Sequence, residues 1–186
     1  MQWIARRIGV ASVAGMLALA LAGGTALAQD TDADAAGEPG LGGQFFGGSG
    51  SETTSGGGGD DFLFDNQGGD DFMFDSQGDD RAEGGPGSDF ATLGFGDDRL
   101  EGGNGNDFLI GGEGNDSLFG GGGNDEIYGG DDDDTIQGEA GDDYLVSAED
   151  GEVFGADDVQ GGSGNDTCVV DEDDAVSNCE NVIIAD

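Results

Sequence analysis

A nine-residue period runs through most of this chain, and a strict period of that length leaves few folds open. The block Gly102-Gly103-Asn104-Gly105-Asn106-Asp107-Phe108-Leu109-Ile110 is followed without a gap by Gly111 to Phe119 and Gly120 to Tyr128. All three fit G-G-x-G-x-D-x-U-x, with U apolar. The frame continues through Gly129 to Gln137 and Gly138 to Val146, and backwards through Leu93 to Glu101, Gly84 to Thr92, Asp75 to Glu83 and Asn66 to Phe74. One extra residue, Asp65, sets off a further repeat at Gly56 to Phe64, and an insertion from Ser147 to Gly151 precedes Glu152 to Gln160 and Gly161 to Val169.

The sixth position is Asp in all twelve repeats: Asp61, Asp71, Asp80, Asp89, Asp98, Asp107, Asp116, Asp125, Asp134, Asp143, Asp157 and Asp166. The fourth is Gly everywhere except Asp132, and the eighth is apolar from Leu63 to Cys168, with Met73, Ala82 and Ala91 the weaker fillers. A run of acids usually marks a solvated, disordered tract. Solvation alone does not hold twelve acids in register with an apolar column.

Local chemistry gives the period a shape. Glycines at fixed places admit positive φ, so six residues can turn tightly with carbonyl oxygens pointing inward. The last three alternate outward, inward, outward, as a short strand does. Stacked strands then bury the Leu and Ile column. Stacked turns bring Asp carboxylates and Gly carbonyls together as an all-oxygen site, the kind Ca²⁺ takes with six to eight ligands.

Charge makes such a cation necessary. The first 28 residues read as a secretory signal peptide: Arg6 and Arg7, an apolar stretch from Ile8 to Leu27, and the small-x-small triplet Ala26-Leu27-Ala28. An uncleaved membrane anchor is the competing reading, opposed by the triplet and by Gly15, Gly23 and Gly24. Cleavage would leave two arginines against 42 acids, a charge of −40, and no stable membrane span. Self-repulsion and the backbone entropy of so many glycines oppose compaction. Without a cation the chain is expected to be disordered. Nucleic acid is excluded as a partner by the same charge.

The repeats resemble the hemolysin-type calcium-binding repeat family, the RTX nonapeptide repeats of secreted bacterial proteins, most closely over Gly102 to Tyr128. The resemblance implies an all-β fold, a right-handed parallel β-roll in which two nonapeptides make one coil and Ca²⁺ ions sit between turns. It makes the sixth-position Asp residues the side-chain ligands and assigns turn carbonyls, including those of Gly102, Gly111 and Gly120, to the rest of the shell. Asp132 and Glu139 depart from Gly positions, as do Asn66, Asp75 and Ser76 in the early repeats. The strongest sites are therefore expected between Gly84 and Asp143, with weaker ends. Affinity near 10⁻⁴ to 10⁻³ M, roughly that of extracellular modules, is expected.

Other motifs carry little. Asp30-Thr31-Asp32-Ala33-Asp34 imitates the start of an EF-hand loop, but Ala35 and Leu41 stand where the turn Gly and bidentate Glu belong. Asn115-Asp116-Ser117 and Asn165-Asp166-Thr167 are formal glycosylation sequons that the repeat generates by itself. No Lys accompanies the glycine-rich turns, which argues against phosphate binding. The chain has no His and no nucleophile placed beside a base, and its carboxylates belong to turns, so no enzymatic activity is expected.

The expected organisation is a signal peptide at 1–28, a flexible Gly, Ser and acidic linker at 29–55, repeats at 56–169 and a C-terminal cap at 170–186. Cys168 and Cys179 are expected to form a disulfide in an exported chain, with two buried thiols as the alternative. Val182 to Ile184 would add a capping strand.

If consecutive repeats alternate between two sheets, residues eighteen apart share a face. One face then displays Phe72, Phe74, Phe90, Phe108, Ile110, Tyr128, Tyr144 and Val146 outward; the other displays Arg81, Glu83, Arg99, Glu101, Ser117, Phe119, Thr135 and Gln137. The aromatic face suits a homodimer or a surface contact, unless the N-terminal segment, through Phe45 and Phe46, covers it. The sequence thus predicts a secreted calcium-binding protein, folding on Ca²⁺, with a structural, adhesive or surface-associated role. An accessory module for export or partner binding is the alternative, and an enzyme using an unrecognised carboxylate site a remoter one.

Overall fold

Alternating outward and inward residues build sixteen short strands in a computed structural model that describes residues 42–65, 67–147 and 155–185. The expected signal peptide and residues 29–41 lie outside the described residues. In chain order the strands are β1 (Gln44–Phe46), β2 (Thr53–Ser55), β3 (Phe62–Phe64), β4 (Phe72–Phe74), β5 (Arg81–Pro86), β6 (Phe90–Phe95), β7 (Arg99–Asn104) and β8 (Phe108–Glu113). They continue with β9 (Ser117–Gly122), β10 (Glu126–Asp131), β11 (Thr135–Ala140), β12 (Tyr144–Val146), β13 (Asp158–Ser163), β14 (Thr167–Val170), β15 (Ala175–Ser177) and β16 (Asn181–Ile184).

Odd-numbered strands form one eight-stranded sheet and even-numbered strands the other, so successive repeats alternate between them. All pairings are parallel. Along the central block partners are eighteen apart in sequence, as in Phe90 with Phe108 and Leu100 with Leu118. The extra residue at Asp65 makes the step nineteen, Phe62 with Arg81, and the insertion after Val146 makes it twenty-three, Tyr144 with Thr167. On either side of each insertion inward positions still face inward. The chain is an all-β parallel solenoid, a β-roll, and among the described residues no helix is long and apolar enough to cross a membrane.

Every eighth-position side chain from Leu63 to Cys168 is buried between the sheets. At roughly 1.5–3 kcal/mol for each fully buried large aliphatic side chain, this column is the main apolar contribution to the fold. Leu93 occupies a first position, where most repeats have Gly, and is fully buried in the same core as the small Ala82 and Ala91.

The stack begins inside the stretch expected to be linker. Phe45 and Thr54 occupy the inward positions of β1 and β2, and β1 pairs with β3 in register, Phe45 opposite Leu63. With Phe45 in the core and Phe46 outward on the odd-strand sheet, stacked on Phe64 at 6.1 Å, neither covers the aromatic face. That face forms a ladder: Phe90 stacks on Phe108 at 5.3 Å, with Phe72, Phe74 and Tyr128 in ring contact on either side. On the other sheet Arg99 lies over the Phe119 ring at 4.2 Å and pairs with Glu101, as does Arg81.

At the C-terminal end β16 pairs with β14, Cys168 opposite Val182, and a Cys168–Cys179 disulfide ties the last coil to the core. Between buried thiols and a disulfide, the structure has the disulfide.

Candidate metal centres

Glycine fixes the turns by close approach as well as by φ. Gly105 has φ +143, and a Cβ there would collide with the Gly87 carbonyl one coil away. Asp132 and Glu139 adopt φ 79 and 74 at positions where other repeats carry Gly, a conformation that costs a non-glycine residue about 1–3 kcal/mol.

These turns place the sixth-position acids in two columns, one along each edge of the roll. The first contains Asp71, Asp89, Asp107, Asp125, Asp143 and Asp166; the second contains Asp61, Asp80, Asp98, Asp116, Asp134 and Asp157. All twelve are buried. Within a column each Oδ1 from Asp71 and Asp80 onwards accepts a hydrogen bond from the backbone N–H of the acid one coil earlier, as with Asp89 N–H to Asp107 and Asp98 N–H to Asp116, both 2.8 Å, while Asp61 Oδ1 accepts from Gly43 N–H. The ladder steps across the insertion unchanged in kind, with Asp134 N–H donating to Asp157 at 2.7 Å and Asp143 N–H to Asp166 at 3.0 Å.

The second oxygen is left over. Oδ2 is buried without a hydrogen-bond partner in Asp71, Asp80, Asp89, Asp98, Asp107, Asp116, Asp125, Asp143 and Asp166. Burial pushes the carboxyls of Asp98, Asp107 and Asp116 up to about 7 and that of Asp80 to about 8, with neighbouring carboxylates adding to the rise and the backbone donor opposing it. Asp89 and Asp143 rise to about 6 for the same reason. An ionised column of this kind is unfavourable unless a cation accompanies it.

The free oxygens point into cradles that glycine keeps open. A Cβ on Gly102 would lie against Asp107 Oδ2 and 2.8 Å from the Gly120 carbonyl oxygen. One on Gly84 would lie against Asp89 Oδ2 and 2.7 Å from the Gly102 carbonyl. One on Gly138 would likewise meet Asp143 Oδ2 and, at 2.7 Å, the Gly161 carbonyl. An orphaned carboxylate oxygen and a carbonyl from the next coil therefore converge on each cradle. The donors are all oxygen, which suits a hard cation and matches Ca²⁺.

Of the three carbonyls implied by resemblance, those of Gly102 and Gly120 face cradles. Gly111 instead contributes its missing side chain, since its Cβ position abuts Asp116 Oδ2 and lies 2.6 Å from the Gly129 carbonyl. The preceding turn on that edge starts with Leu93 and has no such opening.

Five acids that the repeat pattern does not mark join these columns. Glu52 N–H donates to Asp71 Oδ1, Asp157 N–H to Asp174 Oδ1 and Asp166 N–H to Glu180 Oε2, so Glu52, Asp174 and Glu180 extend the ladders. Asp75 stands at a first position, and Asp65, the extra residue between two repeats, takes the equivalent place directly after β3; both point their carboxylates into the columns. Two groups of three carboxylates result, Glu52 with Asp65 and Asp71, and Asp61 with Asp75 and Asp80. A step back of eighteen or nineteen residues from Leu63 and Asp71 reaches Phe45 and Glu52, so the period itself points to them.

A family model described as the RTX calcium-binding nonapeptide repeat (4 copies) matches residues 46–76, 65–100, 74–109, 92–127, 119–150 and 154–174, together well over half of the chain. No curated protein and no solved structure matches it.

Proposed function

Because this chain belongs to the family of RTX calcium-binding nonapeptide repeats, we propose that it is an exported protein that folds on meeting extracellular Ca²⁺ and then acts as a rigid, surface-associated or adhesive element. Calcium binding and the β-roll come with the family and with the buried Asp array. The residues proposed to hold the ions are the twelve sixth-position Asp together with the first-position carbonyls that face the cradles. The observation that carries this assignment is the row of buried Oδ2 atoms without hydrogen-bond partners, those of Asp89, Asp107, Asp116, Asp125, Asp143 and Asp166 each beside a glycine cradle.

Export follows from the signal-like segment at residues 1–28, and it supplies the mechanism's direction. Cytosolic calcium is too low to neutralise the columns, so the chain stays extended until it crosses into a calcium-rich medium, where binding and folding become one event. In the folded roll, the Oδ1 atoms tie successive coils together while the Oδ2 atoms and carbonyls hold the ions.

The aromatic ladder is the surface proposed for contact. Phe72 and Tyr144 are 48% and 41% exposed, on a protein whose surface is otherwise strongly acidic. Self-association through this sheet is the form proposed, with Phe74, Phe90, Phe108 and Tyr128 in the contact. Cell fractionation tests the reading as a whole. A chain processed near Ala28 should be recovered outside the cytoplasm, protease-resistant in Ca²⁺ and degraded in chelator; an unprocessed cytoplasmic chain would refute it.

A further inference from the structure

We infer that the N-terminal end of the roll carries two three-carboxylate Ca²⁺ sites, Glu52 with Asp65 and Asp71, and Asp61 with Asp75 and Asp80, distinct from the interior cradles in their extra carboxylates and filled at lower calcium. The inference rests on the proposed calcium-dependent folding and adds a second class of site to it.

The interior cradles join one carboxylate oxygen to a neutral carbonyl from the next coil. Here that coil starts with Asp in place of Gly. A Cβ on Gly47 would fall on Asp65 Oδ2, and one on Gly56 on Asp75 Oδ2, so each of these carboxylates reaches into the glycine cradle one coil earlier. In each group the carboxylate oxygens lie within 4.8 Å of one another.

Burial makes the arrangement more than a cluster of acids. Glu52, Asp65 and Asp71 are 5%, 3% and 2% exposed, and one oxygen of each, Oε2, Oδ2 and Oδ2, is buried without a hydrogen-bond partner. The other oxygens of Asp65 and Asp71 are held by N–H donors, Gln67 at 2.9 Å and Glu52 at 2.8 Å. In the second group Asp75 Oδ1 accepts from Gly57 N–H at 3.0 Å and from Ser76 N–H at 2.6 Å, while its Oδ2 and that of Asp80 have no hydrogen-bond partner.

Carboxylates gathered this closely, all three buried in the first group and Asp75 half-buried in the second, need a cation. A hard ion that accepts many oxygens without strict geometry satisfies them, and calcium affinity rises with the number of charged ligands. The departures from Gly at Asp65 and Asp75 thus strengthen binding at the end of the array expected to be weak, and place the first ions where the stack begins.

Equilibrium dialysis of the full chain with radioactive calcium tests this. At roughly 10 µM free Ca²⁺, the upper range of sensor-type sites, the wild type should hold about two ions and an Asp65→Asn, Asp75→Asn chain about none. At roughly 10 mM both should fill the rest of the array and give the same circular dichroism spectrum. If the Asn variant does not reach that spectrum, Asp65→Gly, Asp75→Gly restores the interior pattern and should lose the same two ions. Equal binding by wild type and a folded variant at 10 µM, or no binding by wild type there with normal filling at 10 mM, overturns the inference alone. No binding by any chain at 10 mM overturns the proposed function with it.

Discussion

Asp107 Oδ1 accepts a hydrogen bond from the backbone N–H of Asp89, one coil away, at 2.8 Å, while Asp107 Oδ2 is buried without such a partner. One oxygen of the carboxylate therefore serves the coil stack and the other is available to an ion. The two roles separate in mutants. Asp107→Asn can keep an acceptor for the N–H and should mainly raise the calcium midpoint of folding. Asp107→Ala strands a buried donor as well, and should cost a further ~1–3 kcal/mol in calcium-saturated denaturant melts.

Proton dependence runs in opposite directions with and without calcium. Carboxyls such as Asp107 and Asp116 titrate at about 7 in the roll, against 3.8 for an unburied aspartate. Because the folded value is the higher one, these groups favour the calcium-free roll fully below about pH 4 and stop doing so as pH rises through about 7. Chelated protein should gain strand signal on acidification. The calcium-free coil and the calcium-loaded roll are both ionised between pH 8 and pH 6, so the calcium midpoint of folding should stay nearly constant over that range and should rise only as pH falls towards about 4, where protons compete with Ca²⁺ for the same oxygens.

Glu139 sits at φ 74 where the repeat pattern has Gly. Glu139→Gly should relieve the backbone and stabilise the calcium-loaded roll by about 1 kcal/mol in denaturant melts, after the entropy of a new glycine is subtracted.

Reducing the Cys168–Cys179 bond opens a link of sequence separation 11 that fastens the last coil. Chain entropy gives a loss of about 2–3 kcal/mol, confined to that end. Hydrogen exchange should show faster exchange in β14 to β16 after reduction, with β7 to β10 unchanged.

The outward ladder predicts association. In excess Ca²⁺ the wild type should have twice the monomer mass, and a Phe90→Ser, Phe108→Ser chain the monomer mass. Monomers in both cases would remove self-association from the account.

Much of this is legible in the sequence because a coil repeats its contacts. An inward residue such as Leu109 recurs two repeats on at Ile127 and Leu145, and the acid Asp107 at Asp125 and Asp143, so twice the sequence period becomes a column in space. The ends are less legible, since a terminal coil can keep the geometry without the consensus. Thr54 fills an apolar position, and Glu52 and Glu180 take up column positions with a longer side chain than Asp. In sequence Leu93 is only one repeat's first residue, although it is fully buried in the core. Asp65 has the look of a spacer there. Its role depends on Gly47, one coil away, which leaves room for a carboxylate.

The central claim is that calcium converts this chain from coil to β-roll. Circular dichroism of the chain, titrated with Ca²⁺ and separately with Mg²⁺, tests it most directly. The account predicts a coil-like spectrum in chelator, conversion to a strand-rich one by about 10 mM Ca²⁺, and little change with Mg²⁺, which demands stricter octahedral geometry. A spectrum still coil-like at that calcium concentration, or already strand-rich in chelator at neutral pH, would contradict it.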